Sequence, residues 1–500
     1  MQGRHERSND ESPRDRAGIL PHAACALVAA ALCACAPFRA SPNRNSMRAA
    51  APVEGVVAEP AAPWPGERWW IDYRRPDLDR LIEQALSAAP TLDVVRARFA
   101  IAASQVEAAR AEARPQLDVA GGASRSHVGT STATSSASAS PPPATGETPA
   151  QPGASSGATL PDWNSAVFAG AAVRYEFDWW GAKRAAVESA LDAAHAGAAE
   201  TRAAAWLLEY AIASTYFDWN ATQLRLALAR RAVELQSERL RIAEFRGGRG
   251  LDTPQAAENV RADLAQAEQN VAALDAAART DEASLAALLG VAPAALPALQ
   301  AAPLPAAATA VPDDLKLGLV SRRPDLAASR WRVEAAAREV DVARGAFYPT
   351  VSVSALAAVL NSRPTPGAST TLRFLDVGLS AYLPLLDGGR VQARYDTSQR
   401  ELDEAIAEYN QSLVAAASDV ARAKVALDGA REQRARRGGA AAADETAFAI
   451  GRTRETSGVG DPRDTLAAEL ALVEQRDALA ELDGRLVAAD LGLIRALGGG

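Results

Sequence analysis

Asp178 and Asp387 occupy matching settings in the chain, YEFDWWGAKR and PLLDGGRVQAR. Two carboxylates brought together could divide the acid and base roles of a proton transfer. Each also stands just before a helix start, at Gly181 and at Gly388–Gly389, where an aspartate would cap free backbone N–H groups. Capping is the reading the local sequence favours. Other catalytic side chains are scarce. Of the four histidines, only His127 and His195 lie beyond the N-terminal leader, one in a Ser-rich loop and one in an Ala-rich helix. All three cysteines, Cys25, Cys33 and Cys35, fall near the N-terminus. That distribution argues against a metal centre, a disulfide or a His-based triad. The fragments GGRG and GVGD lack the lysine and hydroxyl residue of a phosphate loop. No cofactor, no metal and no enzymatic activity are expected.

The cysteines point to a different chemistry. Residues 17–32, AGILPHAACALVAAAL, form a short apolar run behind Arg4, Arg7, Arg14 and Arg16. The run suits a signal-peptide core better than a membrane span. It closes on Leu32-Cys33-Ala34-Cys35, which resembles a bacterial lipobox. On this reading residues 1–34 are a signal peptide, Cys35 carries lipid, and 35–66 form an extended tether; the alternative is an ordinary signal peptide. A formal net charge of -8 argues against a nucleic-acid partner.

The elements that must position these residues come in two similar sets. AARAEARPQLDVAGGAS (108–124) overlays ARGAFYPTVSVSA (343–355) at one constant offset. Pro90 matches Pro324, Leu92 matches Leu326, Val106 matches Val340, Arg110 matches Arg344, and Pro115 matches Pro349. Aligned prolines followed by aligned alternating segments indicate a duplication. Each half reads as helix, strand, loop, strand, long helix, turn, helix, with residues 67–290 as the first half, 291–312 as an Ala/Pro linker, 313–496 as the second and 497–500 as a tail. Pro115, Gly181, Pro349, Gly388 and Gly389 punctuate the helix–strand joints.

The stretches 182–246 and 390–453 contain no proline, and at 1.5 Å per residue each makes roughly 100 Å of α-helix. Leu402, Ile406, Tyr409, Leu413, Val420 and Leu427 repeat at coiled-coil spacing. Single helices are expected near 77–114, 255–289 and 463–496. Strands are expected at about 115–123, 166–178, 349–358 and 374–385, with loops at about 126–160 and 361–371. In the last strand Leu375, Val377, Leu379, Ala381 and Leu383 alternate with Asp376, Gly378, Ser380 and Tyr382. That is the pattern of a membrane β-strand, although a half-buried sheet in water shows it too. Four strands are too few to close a transmembrane barrel, whose smallest members have about eight. If these strands cross a membrane, several chains must share one barrel.

YEFDWWGAKR, PLLDGGRVQARYD, SRRPDLAASRWRVEAAAREVDVARGAFYPTVSVSA and WWIDYRRPDLDRLIEQALSAAPTLDVVRAR together resemble the TolC/OprM-type outer-membrane factors, in particular their NodT-like lipoprotein branch of RND-type efflux systems. The resemblance covers roughly 64–496. It implies a mainly α protein in which a long helical barrel continues a shared transmembrane β-barrel of about 12 strands, four from each chain of a homotrimer. It implies a passive exit duct for small molecules or drugs, driven by an inner-membrane RND-type transporter through a periplasmic adaptor (membrane fusion) protein. It places the chain in the Gram-negative outer membrane, in contact with its lipid, with a long periplasmic portion. In that family the turns between paired long helices form the periplasmic tip. Here those turns carry Glu244, Arg246, Arg249 and Asp252 in one half, and Arg452, Arg454, Glu455, Asp461 and Asp464 in the other. These charges could hold a gate shut through cross-helix ion pairs and meet the adaptor, or could simply be solvated caps. Competing readings are a type I protein-secretion channel and a coiled-coil surface lipoprotein.

Overall fold

The computed structural model describes residues 39–127, 163–365 and 368–499, apart from positions 54, 57, 58, 60 and 61. The expected signal peptide, Cys35 and most of the 126–160 loop lie outside the described residues. The helices are α1 (Pro76–Ala88), α2 (Pro90–Glu112), α3 (Ala182–Gly247), α4 (Pro254–Leu289), α5 (Leu315–Arg322), α6 (Pro324–Gly345), α7 (Arg390–Thr456) and α8 (Pro462–Leu497). The strands are β1 (Gln116–His127), β2 (Trp163–Phe177), β3 (Thr350–Thr365) and β4 (Ala368–Tyr382).

Three expectations need correction. The single helix near 77–114 is two helices, because Pro90 pushes Ala89 into extended backbone (ψ 126°) and a new helix starts on the proline. Pro324 divides α5 from α6 in the same way. The expected 361–371 loop is mostly strand. Asn361 pairs with Thr371 and Ser362 with Thr370 in the β3–β4 register, and the Asn361 side-chain amide donates to Thr371 Oγ1 at 2.8 Å. These polar residues lie past the apolar alternation, so a pattern search stops short of them. At its other end β4 stops at Tyr382, before the expected 385.

The chain divides into two compact units. The first comprises Glu107–Val187 and Asp341–Tyr395, with the described residues up to Ala40. It contains one antiparallel sheet in the order β1-β2-β3-β4. Its helix–strand joints are tied by side chains. After α6, Phe347 and Tyr348 donate to the carbonyls of Arg344 and Gly345, three residues back, which tightens the last turn before Pro349 and β3. The Trp180 indole N–H donates to the Pro349 carbonyl at 2.8 Å, and its ring stacks on Tyr348 at 4.6 Å. Lys183 Nζ donates to the carbonyl of Glu112 at the end of α2. Trp180 thus braces a joint of the other half, and Lys183 ties α2 to α3 within its own half.

The second unit comprises Ser41–Val106, Glu188–Val340 and Asp396–Gly500 and is helical. Its main core gathers Trp69, Trp70, Leu78, Leu81 and Ile82 against Ile212, Tyr216 and Phe217 of α3, Leu285 and Leu289 of α4, and Leu491 and Ile494 of α8. The coiled-coil stripe of α7, Leu402 to Leu427, is buried throughout. Along α7 lies the expected tether, extended but docked. Asp403 accepts from the backbone N–H groups of Arg44 and Asn45, and Asn410 accepts from Arg48 N–H. The 291–312 linker is held likewise: Ala302 N–H donates to Asn220 Oδ1 and Thr309 N–H to buried Asp490.

A Cβ built at Gly345 would sit 2.5 Å from Ala182 Cβ. Gly345→Ala should therefore destabilise the joint by about 1–3 kcal/mol, the cost of overpacking. Adding Ala182→Gly should recover part of the loss in a thermal melt of the purified protein, whereas a simple helix-propensity effect would not be rescued.

Candidate functional site: sheet edges and hairpin ends

The cross-strand register of the first unit builds one apolar face across all four strands. Leu117 opposes Val173, which opposes Ala355, which opposes Val377. Val119, Ala171, Ala357 and Leu375 form the next row. Among the described residues nothing covers this face at its edges: Val119 is 79% exposed, Leu375 76% and Leu379 74%. On the opposite face Asp118, Arg174, Glu176, Ser352, Ser354, Asp376 and Ser380 cluster at the ends of the strands nearest the helices, and the Ser352 and Ser380 hydroxyls meet at 2.8 Å. The polarity is not uniform along the strands. Farther out Phe168, Leu360 and Leu372 take the polar-face positions, while Arg373 and Thr371 stand on the apolar side. β1 and β4 pair on one side only, so both outer edges of the sheet are open among the described residues.

The junction carboxylates cap helices. Asp178 accepts from Lys183 N–H at 3.1 Å and Arg184 N–H at 2.9 Å. Asp387 accepts from Gly389 and Val391, and those two N–H bonds hold its carboxyl below the usual range. Gly181, Gly388 and Gly389 take φ of 78°, 67° and 88°, which only glycine adopts without strain. Pro115 and Pro349 each fall directly before a strand. Among the described residues no set of His, Cys, Asp and Glu is placed to hold a metal ion.

In the second unit the α3–α4 hairpin closes on a Gly-rich turn. Gly250 has φ 71°, and Leu251 N–H donates to the Arg246 carbonyl. Arg246 grips Asp252 with two bonds, 2.7 and 3.2 Å, which raises the one pKa and lowers the other. Arg249 lies over the Phe245 ring at 4.2 Å. Glu244 reaches across to Arg261 of α4 at 2.8 Å. The α7–α8 hairpin turns through Gly458 (φ 74°), and Asp461 caps α8 through Arg463 N–H while pairing with the Arg463 side chain at 2.7 Å. Arg246 and Asp252 also feel the charges of Asp461 and Arg463, so the two turns are neighbours. Arg452, Arg454, Glu455 and Asp464 make no ion pair among the described residues. Of the nine charges singled out in the sequence, only Glu244 bridges two helices.

The pairs that join the hairpins lie deeper, at positions the sequence reading missed. Arg225 of α3 holds Asp477 of α8 with bonds of 2.9 and 3.1 Å and approaches Glu481 at 3.5 Å. Arg231 pairs with Glu469 at 2.6 Å. Within the α7–α8 hairpin itself, Arg476 pairs with Glu445 and Arg434 with Asp483. No local sequence signal marks the pairs between hairpins, since the partners come from helices far apart in the chain.

With this geometry in view, comparison with known proteins is decisive. The family model "Outer membrane efflux protein" matches residues 81–291 and 319–499. The chain belongs to the outer membrane efflux protein family. A multidrug resistance outer membrane protein MdtQ from Escherichia coli O157:H7 is 27% identical over 97% of this chain and 99% of its own length. MdtP from Escherichia coli K12 is 28% identical over 87% of each. Among solved structures, the outer membrane protein VceC from Vibrio cholerae matches with a TM-score of 0.69 at 28% identity, over 87% of this chain and 100% of its own. The outer-membrane channel OprN matches with a TM-score of 0.75 at 25% identity, over 94% and 99%. Among the described residues no helix is long and apolar enough to cross a membrane.

The Arg225–Asp477 contact is two-pronged and three-quarters sheltered from solvent on each side. A double-mutant cycle with Arg225→Met and Asp477→Leu should give a coupling of about 1 kcal/mol in thermal unfolding, the upper end for partly exposed pairs. The same cycle on the exposed Arg476–Glu445 pair should give a value near zero.

Proposed function

We propose that the chain is the outer-membrane duct of a tripartite efflux system, three copies sharing one β-barrel through which small molecules leave. The observation that carries this reading is the sheet: one apolar face, four strands and two open edges. From Val351 to Val359 the apolar row spans nine residues of β3, about 26 Å at the usual rise, which suits the hydrocarbon layer. Bare edges are not tolerated there. Other copies of the same sheet can satisfy them, and three copies give a ring large enough for an aqueous lumen lined by the polar rows.

The names of MdtP and MdtQ support drugs or similar small molecules as cargo. Family membership supports an adaptor and an inner-membrane pump as partners, the pump supplying the energy, with no catalysis in this chain. We assign Cys35 as the lipid anchor that leads, through the docked segment along α7, into the folded protein. Glu244, Arg246, Arg249, Asp252, Arg452, Arg454, Glu455, Asp461 and Asp464 are proposed as the adaptor-facing tip. Most of them pair within their own turn or not at all, so the turns present charge outward. The closing force of the resting gate is then assigned to Arg225–Asp477 and Arg231–Glu469, which tie one hairpin to the other.

The test is purification of the Cys35→Ser variant. A duct should still require detergent, have the mass of three chains by light scattering, and conduct ions in planar bilayers. Its conductance should rise when Arg225→Gln and Arg231→Gln are combined. A water-soluble, non-conducting monomer would exclude the reading.

A further inference from the structure

A cavity of about 630 Å³ opens in the helical unit beside the middle of α3, the α5–α6 corner and the glycines at the C-terminal end. That volume is in the range of small-molecule sites. Trp206 and Trp331 form aromatic walls, alanines of α3 and Pro324 fill the gaps between them, and Glu209 supplies a carboxyl. Glu209 has no ion pair among the described residues. The buried Trp69 indole N–H faces it without completing a bond. Burial pushes the carboxyl up to about 7.

The cations around the cavity already have partners: Arg323 lies 5.8 Å over the Trp206 ring and is held by Asp325 and Asp419. Arg202 turns to Glu67 at 3.7 Å, and Arg322 lies over the Trp64 ring at 5.0 Å. His195 packs on Trp331 at 4.5 Å and approaches Asp192 at 3.9 Å. The donor that would attract an anion is closed off. The Trp206 indole N–H is buried without an acceptor, and Gly499 packs so tightly against that ring that a Cβ there would collide with it. What remains open to an incoming molecule is a carboxyl lacking a counter-ion, between aromatic surfaces.

We infer that this cavity binds a planar aromatic cation, whose charge pairs with Glu209 and whose rings lie against Trp206 and Trp331. The ion pair and the cation–π contact would both form in a partly desolvated site, where each is strongest. Binding tightens as the pH rises through about 7, because Glu209 must be ionised to pair. The other charged groups facing it are His195 and Arg202 on α3, Glu67 before α1 and Arg322 on α5. His195 is itself an ionisable group on the cavity wall, so the pH series is repeated in a His195→Gln background.

The probe is ethidium, a permanent aromatic cation, titrated by fluorescence anisotropy into the purified full-length protein in detergent. Saturable binding is expected at about pH 8, weaker by about tenfold in Glu209→Gln and in Trp331→Ala. Bilayer conductance of Glu209→Gln should match that of the unsubstituted protein, showing an intact fold. The inference is overturned if ethidium does not saturate, if Glu209→Gln binds it equally well, or if affinity in the His195→Gln background is flat between about pH 6 and pH 8.

Discussion

The structure depends on one accounting problem: where the backbone hydrogen bonds of β1 and β4 go. Within the sheet each inner strand is paired on both sides, and the two edge strands on one. In water a bare edge is a modest liability; in hydrocarbon each unpaired N–H or C=O costs several kcal/mol. The edge strands contain 12 and 15 residues, so the cost of leaving both bare would exceed the whole stability of an ordinary domain. Placing the apolar face in lipid and closing the edges with further copies are therefore not separate assumptions. The first requires the second.

The same constraint accounts for the short helix–strand joints. A strand that must enter a closed ring at a fixed register leaves little room for a loose connection. The chain meets this with glycines in left-handed backbone at 181, 388 and 389, with Asp178 and Asp387 capping the next helix, with Trp180 crossing from one half to brace a joint of the other, and with Lys183 tying α2 to α3. Two aspartates that could have suggested catalysis are spent on backbone N–H groups instead. At the other end of the long helices the glycine turns are ordinary C-caps, and the charges around them pair within their own hairpin or make no ion pair among the described residues.

Much of this was legible in the sequence because it rests on local signals. Helix ends follow from prolines and glycines. The α7 stripe from Leu402 to Leu427 follows from spacing, and all six residues are buried. The strands were located by alternation, but their outer ends were not, since Asn361, Ser362, Thr370 and Thr371 continue the ladder with polar side chains. Interhelix pairs such as Arg225–Asp477 were invisible, because 252 residues separate the partners and nothing local marks either one. The Glu209 cavity was equally hidden: its walls come from α3, α5, α6 and the C-terminal glycines, brought together only by folding.

The central claim is that β1 of one copy pairs with β4 of the next. Cysteines placed one at a time on β1 at Leu117 or Val119, combined with one on β4 at Leu375, Val377 or Leu379, would test it directly by oxidative cross-linking in isolated outer membranes. The account predicts that one register gives efficient intermolecular disulfides, with a ladder of covalent species ending at three chains. A ladder ending at two, or no intermolecular bond at any register, would contradict it.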